Sequence, residues 1–378
     1  MMLLFAASVL FCLHTYAGFP LWLHWRASKR PPLPAAVPPA KGNDWPSVSV
    51  IIAAHNEARH LPAKIRSLDA LDYPADRLEV VFVSDGSSDA TNRLLGDAVA
   101  ERAGWRLIEQ APAAGKPSAL NRGVAAAAGE VLLMMDARQP ISTNAAKALV
   151  ARLLTPGVGA VSGELVLATD AGGEAGNVGL YWRYERWIRA NESRLFSTTG
   201  ATGALYAIRH EDFQPLPPDT LLDDFDIPVR LLRQGRRTLF EPEAKVFDQA
   251  EASAAGEFRR KVRTLAGNYQ SFRRHPWLFN PATNPVWWQF LSHKVFRLLV
   301  PFAMGLALVS SLLGDGILLD TAFWLQIAFY ALGLWGLDGS GGRLANVIAV
   351  FLQLNAAAVL GAWRALTGTA GVRWKRVS

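Results

Sequence analysis

The sequence of 378 residues contains a single cysteine, Cys12, which excludes an intrachain disulfide and any metal site built from several cysteines. It also lacks zinc-finger spacing and any uninterrupted block of basic residues, although its formal net charge is +7. Because the arginines lie beside apolar stretches instead, the positive charge favours a membrane surface over nucleic acid. We therefore expect membrane lipids, and no nucleic acid, among its binding partners.

Charged side chains are missing from the first 25 residues, and Arg26 is the first one in the chain. A run of this length is enough for a membrane-spanning helix, which takes about 20 residues. The run has neither a basic start nor a clear cleavage site, so it favours a transmembrane helix over 1–25 rather than a removable signal peptide. Arg26, Lys29 and Arg30 follow, and the positive-inside rule then places the next segment in the cytoplasm.

The rest of the chain divides by composition. Residues 26–46 are rich in proline and predict a juxtamembrane linker, and residues 47–276 predict a cytoplasmic catalytic domain. Residues 277–297 are aromatic and basic, which predicts an interfacial helix, and residues 298–366 hold three apolar runs. Residues 367–378 form a basic tail that is expected in the cytoplasm. That tail favours two crossings among the three runs, whereas their apolar character allows three.

Within residues 47–276, short and nearly continuous apolar runs predict strands: VSVIIAA, LEVVFVS, WRLIEQ, EVLLMMD and VGAVSGE. Helical stretches such as ATNRLLGDAVAERAG and NAAKALVARLL lie between them. This alternation predicts a Rossmann-like α/β domain with a mostly parallel sheet and helices on both faces. Ligands of such sheets bind outside the carboxyl ends of the strands, so the polar residues there are the candidate site residues.

Polar residues follow three of the predicted strands. The first strand runs into His55-Asn-Glu57, the second ends at Asp85 before a Gly/Ser turn, and EVLLMMD ends on Asp136. Carboxylates there can accept hydrogen bonds from a nucleoside, while a helix start favours phosphate. Lys116, in a glycine-containing loop before a helix, can pair with a diphosphate. DGSSDAT alone is more typical of a turn with a helix cap, so the combination carries the interpretation.

The segments HNE, VSDGSSDAT and GKPSALNRG, together with the strand-end Asp136, resemble the motifs of family 2 glycosyltransferases. That family has the GT-A fold, and its membrane-bound members include cellulose, hyaluronan and poly-N-acetylglucosamine synthases. The resemblance covers roughly residues 47–275. It extends to STTGATGALYAIR, which resembles a segment that shapes the acceptor site, and to DTLLDDFDIPVRLLRQG, which resembles a Glu-Asp motif before a helix.

The resemblance implies a role for individual residues of this sequence. It implies nucleoside binding by Glu57 and Asp85, a metal ligand at Asp136 and a general base at Asp224. We further expect donor binding by His55, Lys116, Asp136, Arg138, Arg260 and Arg263 and acceptor binding by Thr202, Gly203 and Asp223. An inverting transfer needs a base for the acceptor hydroxyl and positive charge around the leaving diphosphate. Helix capping is the structural alternative for LLDDFDIP, but three acids within four residues exceed what capping needs.

Two departures from the family pattern affect cofactor and product. Where the family has the second carboxylate of Asp-x-Asp, this sequence has Arg138. A divalent metal, Mg²⁺ or Mn²⁺, is then held by Asp136, the diphosphate and water, or Arg138 contacts the phosphates itself, or Arg138 is structural and pairs with Asp136 or a neighbour. In the place of Gln-x-x-Arg-Trp stand Glu257, Arg260 and Lys261, and the missing tryptophan argues against a long-chain synthase.

Aromatic residues between these motifs have two interpretations. Trp182, Tyr184 and Trp187 lie at helical spacing in LYWRYERWIRANESRL. They form either a platform on which a sugar stacks or an ordinary packing face.

The sequence therefore predicts a multi-pass protein of the inner (plasma) membrane with a cytoplasmic, inverting hexosyltransferase domain. The expected donor is a UDP-linked sugar, and the expected acceptor is a lipid-linked or growing glycan in cell-surface polysaccharide synthesis, with export proteins as further partners. A polyprenyl-phosphate glycosyltransferase and a non-catalytic, nucleotide-sugar-binding membrane component are the alternatives.

Overall fold

The computed structural model describes residues 1–36, 38–39, 44–168, 175–249, 254–339, 341–369 and 371. Its strands are β1 (Val48–Ala54), β2 (Leu78–Asp85), β3 (Trp105–Gln110), β4 (Val131–Asp136), β5 (Val158–Ala168), β6 (Leu205–Arg209) and β7 (Arg237–Gln249). Its α-helices are α1 (Met2–Leu13), α2 (Phe19–Ser28), α3 (Leu61–Asp69), α4 (Thr91–Ala100), α5 (Lys116–Ala126), α6 (Ala145–Leu153), α7 (Ala175–Leu195), α8 (Asp223–Arg233), α9 (Ala254–Arg274), α10 (Trp287–Gln289), α11 (Phe296–Leu312), α12 (Ile317–Trp335) and α13 (Gly342–Leu366).

The chain forms two compact units. The sheet unit contains the strands with α3–α6 and α8, and the helical unit contains α1, α2, α7 and α9–α13. In the sheet unit the strand order is β3-β2-β1-β4-β6-β5-β7. Strand β6 runs antiparallel to both β4 and β5, and the remaining pairs are parallel. The predicted α/β class with a mostly parallel sheet is therefore confirmed.

Both faces of the sheet are covered by helices. In β1, Val50 and Ile52 point into one apolar cluster, which contains buried side chains of α3, α4 and α6. Ile51 and Ala53 point into a second cluster on the opposite face, with side chains of α5 and α8. Successive side chains of a strand point to opposite faces, so a strand buried on both sides has to be apolar throughout. This explains the continuous apolar runs of the sequence and leaves polar side chains at the strand ends.

The helical unit contains long apolar helices. Within the described residues, four helical stretches are long and apolar enough to cross a membrane: Met2–Ser28, Trp287–Leu312, Ile317–Asp338 and Gly342–Leu366. They match the predicted N-terminal helix and the three C-terminal apolar runs. How many of them cross the membrane stays a prediction, and residues 370 and 372–378 of the predicted basic tail lie outside the described part of the chain.

The structure differs from the predicted helix boundary at residue 297. Residues 287–312 form one continuous helix, in which a π-helical turn, Phe290–Val295, joins α10 to α11. Of the polar side chains in this turn, His293 finds partners inside the protein, because it is hydrogen-bonded to Glu192 at 2.8 Å and to Glu185 at 3.2 Å. Polar residues that are satisfied internally do not end a helix, so this helix continues past residue 297. The location of residues 277–297 at the membrane interface stays a prediction.

Helix α7 packs against α2 through aromatic and aliphatic side chains. Phe19, Leu23 and Ile188 form a buried cluster, and Tyr184 and Trp187 pack against it. The Tyr184 hydroxyl also donates a hydrogen bond to the Tyr16 carbonyl oxygen at 2.9 Å. Packing therefore accounts for two members of the predicted aromatic set. The third, Trp182, lies against Lys261, whose Nζ is 5.6 Å from the ring centre.

Candidate active site

The predicted strand-end residues meet at one edge of the sheet unit. Strands β2 and β4 flank β1, and the register places Ala53 beside Asp136 and Ala54 beside Ser84. Because the three strands are parallel, their carboxyl ends open at the same edge. His55 follows β1 directly, and its Nδ1 donates a hydrogen bond to the Asp85 carbonyl oxygen at 2.6 Å.

Asp85 organises the loop that leads into α5. Its Oδ1 accepts hydrogen bonds from the Gln110 side chain (2.6 Å) and from the Ala114 N–H (2.7 Å), and its Oδ2 accepts one from the Gly115 N–H (2.7 Å). Gly115 has a φ of +95°, which a residue without Cβ adopts readily. Asp85 is completely buried, and its hydrogen bonds to Ala114 and Gly115 fix the loop directly before Lys116. Its direct contact with a nucleoside stays a prediction.

Lys116 connects two carboxylates. Its Nζ lies 2.9 Å from Oδ1 of Asp136 and 3.1 Å from Oδ1 of Asp223. Burial lowers the pKa of Lys116, but Asp136, Asp223 and Asp224 raise it by more, so the ammonium stays charged. Asp223 is buried, and its Oδ2 accepts a hydrogen bond from the Tyr206 hydroxyl at 3.2 Å. Asp223 is therefore held between two donors of the protein itself.

Asp224 has a different environment from its neighbour. Its side chain is half-buried, and Oδ2 accepts a hydrogen bond from the Gly203 N–H at 3.1 Å. A Cβ atom on Gly203 would lie 2.9 Å from the same oxygen, so a larger residue there would have to displace the Asp224 carboxylate. The Thr202 N–H donates to Ser162 Oγ at 2.8 Å and thereby fixes the loop. The structure thus brings the predicted acceptor segment and the predicted base together.

Arg138 forms an ion pair that the sequence did not reveal. Its Nη2 lies 3.3 Å from Oδ2 of Asp248, a buried residue of β7. One of the three roles considered for Arg138 was an ion pair with a neighbouring residue. The contact with Asp248 is such a pair. Contact with a donor phosphate stays a prediction.

Glu57 lies near the same edge. Its N–H donates to Thr91 Oγ1 at 2.8 Å, and its carboxylate is hydrogen-bonded to His60 Nδ1 at 2.8 Å. Burial raises the pKa of the Glu57 carboxyl above its usual value, and His60 and Arg138 offset only part of this. These contacts hold Glu57 beside the first turn of α4.

Arg260 and Arg263 belong to α9 in the helical unit and not to the sheet unit that carries the other candidates. Arg260 pairs with Glu257 at 2.5 Å, the residue in the place of the family's glutamine. Their role in donor binding stays a prediction.

Besides Asp248, two further side chains near this edge were not predicted from the sequence. Tyr206 is fully buried in β6, and Lys64 is fully buried in α3, where its Nζ donates to the Gln139 carbonyl oxygen at 3.0 Å. The sequence does contain a signal for Lys64. It occupies the apolar helix face between Leu61 and Leu68, where a charged residue is unexpected.

Comparison with known proteins gives consistent matches. The model of glycosyl transferase family 2 matches residues 49–216. A probable glycosyltransferase, YdaM, of Bacillus subtilis is 28% identical over 60% of this chain and 56% of its own length. A beta-monoglucosyldiacylglycerol synthase of Synechocystis is 25% identical over 74% of this chain and 60% of its own. A poly-beta-1,6-N-acetyl-D-glucosamine synthase of Staphylococcus epidermidis is 21% identical over 61% of this chain and 56% of its own. The chain thus spans between about half and three fifths of these relatives.

Among solved structures, the mannosyltransferase PcManGT from Pyrobaculum calidifontis, in complex with GDP-Man and Mn²⁺, is similar over nearly the whole chain. The TM-score is 0.75 at 23% identity, and the match covers 96% of this chain and 99% of that one. This likeness confirms the predicted GT-A fold.

Proposed function

Because the model of glycosyl transferase family 2 matches residues 49–216, we propose that this chain transfers a sugar from a nucleotide-sugar to an acceptor at a membrane. The observation that carries the proposal is the cluster of Asp136, Lys116, Asp223 and Asp224 at the carboxyl edge of the sheet. It combines fixed positive charge with a half-exposed carboxylate, as displacement of a diphosphate by a hydroxyl requires.

The two neighbouring aspartates suit different roles. Asp223 is buried and engaged by Lys116 and Tyr206, so it supports the site. Asp224 is half-exposed and is the proposed base. It would take the proton of the acceptor hydroxyl while that oxygen bonds to the anomeric carbon, and the bond from this carbon to the diphosphate oxygen breaks with inversion. Lys116, and Arg138 if it turns from Asp248, would stabilise the negative charge of the nucleoside diphosphate.

The residues at this edge fit a weakly held divalent metal ion. Asp136 is partly exposed, and Lys116 contacts its Oδ1. Groups of three or more His, Cys, Asp or Glu that could hold a metal do not occur among the described residues. Asp136 would therefore supply one ligand, with the diphosphate and water as the others, as Mg²⁺ tolerates. Such an ion would supply additional positive charge at the diphosphate.

A membrane acceptor is supported by two observations. The part of the chain that the structure describes has four helical stretches that are long and apolar enough to cross a membrane. The names of two of its relatives refer to a glucosylated diacylglycerol and to a polymer of N-acetylglucosamine. We therefore propose a lipid, a lipid-linked glycan or a growing glycan at the cytoplasmic face as acceptor, for cell-surface polysaccharide or glycolipid synthesis. Export proteins would be further partners only if the product is a polymer.

A donor screen tests the proposal. The full chain, purified in detergent, is mixed with UDP-linked and GDP-linked sugars, with diacylglycerol, polyprenyl phosphate or glycan oligomers, and with Mn²⁺, Mg²⁺ or a chelator. We expect nucleoside diphosphate release and a glycosylated product from a UDP-sugar. Binding of nucleotide-sugar without product across all acceptors would contradict catalysis and favour a binding component. A single sugar added to polyprenyl phosphate would favour that alternative acceptor.

A further inference from the structure

Lys64 is a charged residue inside the fold. It lies on the face of α3 that also carries Leu61 and Leu68, and all three side chains are buried. Its Nζ donates a hydrogen bond to the Gln139 carbonyl oxygen at 3.0 Å and lies 3.6 Å from the Met135 sulfur. The ammonium therefore reaches from α3 to the end of β4.

Burying this ammonium is unfavourable for folding. Burial lowers the pKa of Lys64 to about 7, and the nearby Asp136 offsets part of this effect. A methionine or leucine at the same position of an amphipathic helix would fill similar space without that penalty. Packing of α3 therefore does not explain why a lysine occupies this position. The explanation has to come from the contacts that the Lys64 amino group makes.

These two contacts lie on either side of Asp136 and Arg138, the residues of this segment that are predicted to bind the donor. Met135 precedes Asp136 directly, and Gln139 follows Arg138 directly. The same segment is held elsewhere by the Asp136 N–H, which donates to the Ala204 carbonyl oxygen at 3.4 Å, and by the pair of Arg138 with Asp248. These two anchors come from the residue before β6 and from β7, so Lys64 supplies the anchor from the α3 side.

We propose that Lys64 is a positioning residue for the donor: its buried amino group fixes the backbone of residues 136–139, and thereby the places of Asp136 and Arg138. This inference rests on the proposed function for its donor role. Displacement of a binding group by 1 Å can cost about a hundredfold in rate, so a single anchor under this segment has a measurable effect.

The test compares Lys64→Met with wild type and with Lys147→Met, both as full chains in detergent. Methionine has a similar length and carries no donor. Lys147 is a partly exposed lysine of α6 that pairs with Asp72 and serves as the matched control. Lys64→Gln keeps a hydrogen-bond donor without the charge. The readouts are amide hydrogen exchange of residues 136–141, binding of UDP and of GDP, the donor KM and kcat, and the melting temperature.

For Lys64→Met we expect faster exchange confined to residues 136–141 and a rise of about tenfold in the nucleotide Kd and donor KM, with a smaller change in kcat. The melting temperature should move by only about 2–3 °C, since a costly buried charge leaves together with its hydrogen bond. Lys64→Gln should show a smaller loss, and Lys147→Met should match wild type.

Unchanged exchange at residues 136–141 would overturn the proposal whatever the protein's function. A large fall in melting temperature with faster exchange throughout the sheet unit, and normal nucleotide binding by the folded fraction, would make Lys64 a residue of the fold alone and would also overturn it. If wild type itself binds neither nucleotide, the proposed function fails, and the donor role of Lys64 fails with it.

Discussion

Strands β2 and β4 flank β1, and each ends on an aspartate. Asp85 at the end of β2 is 0% exposed, and its carboxylate accepts hydrogen bonds from Gln110, Ala114 and Gly115. The Asp136 side chain at the end of β4 is 37% exposed and is paired with Lys116. Equivalent positions in two parallel strands thus carry one carboxylate that organises a loop and another that lies open to a ligand.

The same contrast occurs between two consecutive residues at the start of α8. Asp223 is buried between Lys116 and Tyr206, whereas Asp224 is half-exposed and accepts a hydrogen bond from Gly203. A carboxylate whose oxygens are engaged by internal donors has little capacity left for a substrate. Exposure and internal donors therefore separate supporting acids from candidate reacting acids better than position in the chain does.

Of the substitutions that test this contrast, Asp224→Asn is expected to have the largest effect on the rate of sugar transfer. An asparagine oxygen can still accept from the Gly203 N–H but takes up no proton, so we expect transfer to fall by roughly a thousandfold or more. Melting temperature and UDP binding should stay near wild-type values. Nucleoside diphosphate release under single-turnover conditions measures the loss, with Asp97→Asn on the surface of α4 as control. Transfer that survives in Asp224→Asn would show that Asp224 is not the base.

A second expected difference is between Asp85→Asn and Asp136→Asn. An asparagine amide at position 85 cannot accept all the hydrogen bonds that Asp85 accepts, so we expect a loss of about 1–3 kcal/mol in stability. Asp136→Asn should leave the melting temperature nearly unchanged and weaken nucleotide-sugar binding instead. Thermal unfolding of both variants, together with donor titration, checks this. Equal destabilisation by the two changes would remove the distinction between the strand ends.

The elements that could be predicted from sequence are those whose signal is local. The apolar runs of β1 to β5 and the long apolar helices appear directly in the residue pattern. The carboxyl-edge rule then located the strand ends, where the structure places Gly203 beside Asp224. The short, antiparallel β6 and the bulged β7 lack such a pattern, because their positions depend on partners far away in the chain.

The missed site residues have the same cause. Asp248 meets Arg138 across 110 positions of sequence, and a pairing at that distance leaves no local spacing to recognise. The burial of Asp85 depends on how the loop before α5 folds back onto it. Lys64 was visible only as a lysine on an apolar helix face. Sequence thus located the edge, whereas tertiary contacts decide which acids remain open.

The smallest expected effect concerns Arg138 and the open end of β4. Arg138→Asp alone would place a carboxylate beside the buried Asp248, so the informative variant combines it with Asp248→Asn, and Asp248→Asn alone is the control. The double variant restores a second carboxylate near Asp136. We expect the ratio of rates with and without Mn²⁺ to rise about tenfold over wild type, because the metal then replaces the lost guanidinium. An unchanged metal response at an unchanged rate would make Arg138 a structural residue paired with β7, and the open carboxylate of β4 would then act without it.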